Sequence, residues 1–153
     1  MSDQDLLQLY STRILALASS VPHVGRLAAP HGSAKRRAPL CGSTVSVEVA
    51  LEDGRISDFA QEVRACALGQ ATASVVGANV IGRTPEEVRE ARDALLRMLK
   101  EGGEPPEAPF DGLASLIPAR DHPNRHGSIM LAFEASLDAL AEARSERKKA
   151  AAP

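Results

Sequence analysis

Residues 44–59 read TVSVEVALEDGRISDF, and this stretch contains the pattern that decides the fold. Valine and leucine alternate with serine, glutamate and alanine as far as Leu51, which is typical of a strand with one buried face. Asp53-Gly54 then predicts a tight turn, because glycine takes positive φ without strain. Residues 56–64 supply the returning strand, so the stretch predicts an antiparallel β-hairpin.

Helical patterns flank this hairpin on both sides. Residues 6–18 carry apolar side chains at helical spacing and predict an amphipathic N-terminal helix. Residues 67–81 are small and apolar almost all round, so we expect a helix buried in the middle of the domain. Thr84-Pro85-Glu86-Glu87 has the residues of a helix start, with a capping threonine and a proline in the first turn. A fourth helix is predicted over residues 128–144.

Two segments lack such patterns. Residues 19–39 contain proline, glycine, histidine and the basic run Lys35-Arg36-Arg37, and they predict a long surface loop. Residues 145–153 are charged and alanine-rich, and we expect them to form a disordered tail. The chain is therefore predicted to be one α+β domain over residues 1–144, with a small antiparallel β-sheet packed against helices.

Composition excludes several classes of function. The 18 basic and 20 acidic residues nearly balance, which gives no reason to expect a nucleic acid or a membrane surface as partner. No apolar run approaches the length that spans a bilayer. The two cysteines are too few for a disulfide framework in 153 residues, which favours a reducing, cytoplasmic setting.

The candidate site consists of Cys41, Cys66 and His126. Cys41 precedes a predicted strand, Cys66 lies between a strand and a helix, and His126 precedes the last predicted helix. Thiols and imidazole suit zinc or iron, and element ends hold ligands rigidly while keeping them accessible. From spacing alone a second interpretation stays open, in which each cysteine is a small buried hydrophobe and His126 a surface or capping residue.

Several motifs resemble those of one known family. They are Tyr10-Ser11 followed by Pro22-His23-Val24-Gly25, then Leu40-Cys41-Gly42-Ser43, then Asp53-Gly54-Arg55-Ile56-Ser57-Asp58 with Cys66 eight residues later, and finally His126-Gly127-Ser128-Ile129. In order and spacing they resemble the NifU/IscU-type iron–sulfur cluster scaffold proteins and the similar SufU group, over most of the chain. The resemblance implies the SufE/NifU-like (IscU-like) fold.

The resemblance also implies a function. Family members are not enzymes: they take sulfur from a cysteine desulfurase, add iron, and pass a transient 2Fe–2S cluster to recipient apo-proteins. It implies that Cys41, Cys66 and His126 hold the cluster or a zinc ion. Two alternatives remain, namely a zinc- or persulfide-handling sulfur-transfer partner, and a non-metallated interaction module of the assembly machinery.

The sequence departs from the family pattern at three places. Gly127 stands where the family has a third cysteine, and Ser43 stands where it has an aspartate. Affinity for a cluster or for zinc should therefore be weaker. Some members engage an Hsp70-type chaperone through a Leu-Pro-Pro-Val-Lys segment, but here residues 120–124 read RDHPN, so that partner is not expected.

Overall fold

The computed structural model describes residues 10–151, with side chains up to residue 146. The elements form an α+β fold in which helices pack against one small sheet. In chain order they are α1 (Thr12–Ala18), β1 (Gly32–Arg37), β2 (Thr44–Glu52), β3 (Arg55–Arg64), α2 (Ala67–Asn79), α3 (Pro85–Glu101), a 3₁₀-helix (Asp111–Asp121) and α4 (Pro123–Ala151).

The predicted hairpin is confirmed as β2 and β3. The two strands pair antiparallel from Thr44 opposite Arg64 to Glu52 opposite Arg55. Asp53 and Gly54 form the turn with φ of 54° and 77°, which places both in the left-handed region that such turns require. Every second side chain of β2 is buried, beginning with Val45, so the alternation in the sequence matches the buried face.

The predicted loop over residues 19–39 is wrong in part, because Gly32–Arg37 forms strand β1 and includes the basic run. This strand pairs antiparallel with β2 and lies at the edge of the sheet, whose order is β1-β2-β3. A side chain at Gly32 would meet the backbone of α4 at Ala139 and Ala143, so this glycine lets the helix approach the strand. The polar sequence of β1 does not indicate a strand, because the strand depends on pairing with β2 and on the contact between Gly32 and α4.

Helix α4 crosses β1 and β2 and packs against α2 and α3. Its Ile129 and Phe133 are fully buried, as are Val45 and Val49 of β2. Helix α2 is buried along most of its length, as its apolar sequence predicts. The core is therefore mainly aliphatic and lies between the sheet and the helices.

The start of α3 is confirmed in detail. The Thr84 hydroxyl accepts from the Glu87 N–H at 3.2 Å, and the Glu87 carboxylate accepts from the Thr84 N–H at 3.2 Å. This reciprocal capping box satisfies two N–H groups that the helix leaves free. Gly102 ends the helix with φ of 70°.

The last helix differs from its prediction at both ends. It begins at Pro123, not at residue 128, so His126 and Gly127 lie inside its first turns. It continues to Ala151, so the tail predicted from residue 145 is helical as far as residue 151; residues 152–153 lie outside the described residues.

Helix α1 begins at Thr12 after the capping Ser11, and the part of its prediction before residue 10 lies outside the described residues too. Within residues 10–151, no helix is both long and apolar enough to cross a membrane.

Candidate functional site

Cys41 lies in the turn that joins β1 to β2. The Ala38 N–H donates to the Ser43 carbonyl at 2.8 Å, and the Gly42 N–H donates to the Ala38 carbonyl at 2.9 Å. Gly42 has φ of +72°, a conformation that favours glycine. The turn therefore fixes its backbone internally and leaves the Cys41 side chain exposed.

Cys66 occupies the N-cap position of α2, where its side chain makes no capping hydrogen bond, and is half-buried. Two serines connect it to Cys41. Cys41 Sγ lies 3.0 Å from Ser43 Oγ, Ser128 Oγ donates to Ser43 Oγ at 3.2 Å, and Ser128 Oγ lies 3.4 Å from Cys66 Sγ. These three contacts set an upper limit of about 10 Å on the distance between the two sulfurs.

The structure thus places both predicted cysteines at one site, where the β1–β2 turn, the start of α2 and the start of α4 meet. Ser43 and Ser128 are 5% and 2% exposed, so the hydroxyl pair that joins the sulfurs is held inside the protein.

The surroundings of Cys41 favour its thiolate. Hydrogen bonding from the Ser43 hydroxyl is the largest cause that lowers the pKa of the Cys41 thiol below its usual range, and the Ser43 N–H and the Ser128 hydroxyl add to it. Partial burial acts in the opposite direction and is outweighed. Since the thiolate is both the nucleophile and the metal ligand, Cys41 is an accessible and activated sulfur.

Gly69 is a site residue that the sequence does not reveal. It lies in the first turn of α2, and a Cβ built there would be 2.7 Å from Ser128 Oγ and 2.9 Å from Ala65 Cβ. No real Cβ sits so close to its neighbours, so the missing side chain lets Ser128 reach Cys66. A glycine at this place in the sequence carries no signal of its own, because the contact depends on α4.

His126 is 3% exposed, so the interpretation that made it a surface residue is wrong. Its Nε2 lies 2.8 Å from the Ala119 carbonyl oxygen, which can only accept, so Nε2 carries the proton. Burial is the main cause that lowers the pKa of the imidazole and keeps it neutral. The buried Nδ1 has no hydrogen-bond partner among the residues that the structure describes.

Among the described residues, the hydrogen bond of the His126 side chain goes to Ala119 and not to the serine pair. Among the side chains that the structure describes, no three from His, Cys, Asp and Glu are gathered closely enough to hold a metal ion. The assignment of Cys41, Cys66 and His126 as joint ligands therefore stays a prediction.

Gly127 occupies an open position beside the cysteine turn. A Cβ built on Gly127 would have the Ala38 Cβ, at 4.0 Å, as its nearest neighbour outside the helix. Ala38 begins the turn that carries Cys41, so a longer side chain at position 127 has room on the side of the helix that faces this turn.

The sequence model for the NifU-like N terminal domain matches residues 9–108. The chain belongs to this NifU-like family. A solved structure of the N-terminal part of a nitrogen-fixing NifU-like protein from Brucella abortus is 45% identical, with a TM-score of 0.90; the alignment covers 92% of this chain and 98% of that chain. The family resemblance read from the motifs is confirmed.

More distant structures share the NifU-like fold. A candidate iron–sulfur cluster assembly scaffold protein for the SUF system from Fervidobacterium islandicum AW-1 is 22% identical with a TM-score of 0.77. A hypothetical protein solved at 2.3 Å resolution is 26% identical with a TM-score of 0.74. Each alignment covers 88% of this chain and 98% of the other chain. Among curated proteins, none matches the chain significantly.

Proposed function

We propose that this NifU-like protein is a scaffold or carrier in iron–sulfur cluster assembly. It would accept sulfur and iron at Cys41 and Cys66 and hand a 2Fe–2S cluster to recipient apo-proteins. The observation that carries the proposal is the convergence of the two cysteines on one serine pair, in a chain whose family is the NifU-like N terminal domain. The role is not enzymatic, because the cargo is held and passed on.

The chemistry of the site supports this role. Thiolates are the usual ligands of iron–sulfur clusters, and the hydrogen bonds that lower the pKa of the Cys41 thiol favour its thiolate form. Cys41 is exposed, which gives a protein partner access to its sulfur. The partners we propose are a cysteine desulfurase as sulfur donor and apo-proteins as recipients. Because both thiols are free, we propose a reducing compartment, the cytoplasm, as the setting.

Sulfur-transfer chemistry without cluster building is a second candidate. Two observations favour it: the activated thiolate of Cys41, and the absence of a three-ligand metal group among the described residues. In this reaction the Cys41 thiolate would attack the terminal sulfur of a donor persulfide. A new S–S bond forms on Cys41, the donor's S–S bond breaks, and the donor cysteine leaves as a thiolate.

Metal and sulfide analysis of protein purified without oxygen tests these candidates. Iron with acid-labile sulfide supports the scaffold. Zinc alone, or a persulfide detected on Cys41 by mass spectrometry, supports the second candidate. Protein that binds no metal after anaerobic reconstitution with iron and sulfide, and that carries no persulfide after incubation with a cysteine persulfide donor, would contradict both and leave a non-metallated interaction module.

Substitutions test the residues. Cys41→Ala or Cys66→Ala should abolish the bound metal or persulfide, because thiolate is the strongest soft ligand available, whereas His126→Ala should weaken binding less. Ser136→Ala is a matched control, since Ser136 is a buried serine of α4 that bonds its own helix at Ala132. Full loading of the Cys41→Ala and Cys66→Ala double variant would refute the site.

A further inference from the structure

The Cys41–Cys66 site has fewer thiolates than its proposed cargo needs. A 2Fe–2S cluster is usually held by four ligands, and the chain contains two cysteines. The unpartnered nitrogen of His126 is buried, and no third His, Cys, Asp or Glu joins the cysteines among the described residues. Under the proposed function, the remaining ligands would therefore come from outside the described part of the chain.

The last row of the sheet next to this site is cationic. Arg37 of β1 and Arg64 of β3 lie opposite Thr44 of β2, on either side of it. Residues opposite each other in antiparallel strands share a face, and both arginines are exposed while the neighbouring Val45 points into the core. Thr44 directly follows Ser43, so the row ends at the cysteine turn.

Arg37 also reaches the turn itself. A Cβ built at Gly42 would have the Arg37 Nη2 as its nearest neighbour, at 3.6 Å. The guanidinium therefore lies against the backbone of the residue that follows Cys41. Arg64 precedes Cys66 by two residues, so each cysteine has one arginine close to it in the chain.

Neither arginine is neutralised within the described part of the chain. Arg36 differs from them, because it points to the other face of the sheet and pairs with Asp138 of α4. The acid in the next row of the outer face, Glu62, is engaged by Arg26 at 3.0 Å. Arg37 contacts the cysteine turn, Arg64 lies across Thr44 from it, and neither has an ion-pair partner among the described residues, so the two cations suit a ligand that carries negative charge and reaches the exposed Cys41.

We propose that Arg37 and Arg64 bind the carboxylates of a small anionic thiol of the glutathione type, whose thiolate supplies one of the ligands that the cargo lacks at Cys41 and Cys66. The role of the bound thiol rests on the proposed function. Recognition of its carboxylates rests only on the arginine row and the exposed thiol. Guanidinium groups suit carboxylates because their fork of donors matches two oxygens.

The recognition can be measured on the metal-free protein through disulfide exchange at Cys41. The Cys41 thiolate attacks one sulfur of glutathione disulfide, a Cys41–glutathione disulfide forms, and the second glutathione leaves as its thiolate. Hydroxyethyl disulfide undergoes the same exchange but carries no charge. The ratio of the two rates is the readout, since a change in the reactivity of Cys41 itself alters both rates alike.

We expect Arg37→Gln and Arg64→Gln each to lower this ratio by about two- to fivefold, the range of an exposed charge pair. Added salt should lower the ratio in the wild type and have less effect in the double variant. Arg37→Lys should retain most of the ratio because it keeps the charge. Arg89→Gln on α3 is the matched control, because Arg89 is exposed and lines a groove with Arg144 and Ser145, far along α4 from Ser128.

Anaerobic reconstitution with iron and sulfide, in glutathione or in the neutral thiol dithiothreitol, provides the second arm. The wild type should retain its cluster longer in glutathione, and the double arginine variant should lose that difference. A rate ratio unaffected by both arginines overturns the inference, and a cluster retained equally in both thiols means that a partner protein supplies the missing ligands. Absence of a cluster in every thiol contradicts the proposed function instead. Failure of the inference is therefore detected in the exchange-rate ratio, and failure of the proposed function in the reconstitution.

Discussion

Replacement of Gly69 by alanine tests how the structure brings the two cysteines together. The new Cβ would lie 2.7 Å from Ser128 Oγ, 2.9 Å from Ala65 Cβ and 3.1 Å from the Ser128 carbonyl oxygen. Two of these neighbours belong to α4 and one to the segment before α2, so α2 and α4 must separate locally or Ser128 must turn away. In either case Ser128 can no longer bridge Cys66 and Ser43.

The expected cost follows from two opposing effects. Overpacking of a tight contact destabilises by about 1–3 kcal/mol, while alanine in place of glycine in a helix stabilises by up to about 1 kcal/mol. The net loss should be about 1 kcal/mol, which corresponds to a melting temperature lower by about 2–4 °C for a domain of this size. Alkylation of Cys41 at neutral pH should also slow, because Ser128 contributes to lowering the pKa of its thiol.

Alanine variants of two other glycines serve as controls that distinguish a loss of stability from a loss of Cys41 reactivity. A Cβ at Gly77 would lie 2.6 Å from Gln61 Nε2 and 2.9 Å from Pro22 Cγ, so Gly77→Ala should lose stability without changing thiol reactivity. A Cβ at Gly112 would lie 3.6 Å from Val75, an ordinary contact, so Gly112→Ala should change neither. Thermal unfolding and timed alkylation followed by mass spectrometry measure both quantities. Wild-type stability and wild-type Cys41 alkylation in Gly69→Ala would refute the argument that this glycine positions Ser128.

Three further predictions follow from the site. Ser43→Ala should raise the pKa of Cys41 and shift the pH profile of its alkylation to higher pH, because the largest stabilising hydrogen bond is lost; an unchanged profile would contradict the assignment. Gly127→Cys should increase retention of zinc or of a reconstituted cluster relative to Gly127→Ala, since the position is open towards the cysteine turn; equal iron content in the two variants would show that the new thiol does not reach the site. Stability towards denaturant should fall as pH drops below about 6.5, because burial lowers the pKa of His126 and protons then bind the unfolded chain preferentially. The fall should be smaller in His126→Gln, and an equal fall would assign it to other groups.

The parts of the fold that were predicted from sequence depend on local rules. The β2–β3 hairpin follows from alternation and from the turn residues Asp53-Gly54, and the start of α3 follows from a cap that four consecutive residues complete. Strand β1 does not follow from such rules. Its sequence, GSAKRR, has little apolar character, and it is a strand because β2 offers hydrogen bonds and α4 approaches Gly32.

The last helix was predicted too short for a related reason. Pro123 lies before the predicted start at residue 128, yet proline fits the first turn of a helix, where its missing N–H has no partner to lose. As a consequence His126 was expected ahead of the helix, whereas it lies within it and is buried. The composition of residues 145–151 is polar, yet the helix propagates through them from a well-packed start.

Motif order indicated Cys41 and Cys66 as site residues but not the groups around them. In the structure a pair of serine hydroxyls connects the two sulfurs, and their role as ligands stays a prediction. Ser43 appeared in the sequence only as the loss of a carboxylate, and Ser128 only as part of a motif. Their roles become visible only when β1–β2, α2 and α4 are assembled, because their contacts join residues as much as 85 positions apart.

Ser43 stands where the family pattern has an aspartate, and its hydroxyl accounts for how the cysteine site keeps its geometry with few ligands. A carboxylate at position 43 would add negative charge beside a thiolate and would disfavour it, whereas a hydroxyl donates a hydrogen bond and favours it. Under the proposed function, the buried serine pair would keep Cys41 reactive without binding the cargo itself. Under the proposed function, a cargo held by two chain thiolates and exchangeable outside ligands can leave when a recipient replaces those ligands one at a time. In that case the exposure of Cys41 would allow ligand exchange with a recipient. The burial of Ser43 and Ser128 would preserve the geometry to which the next cargo binds.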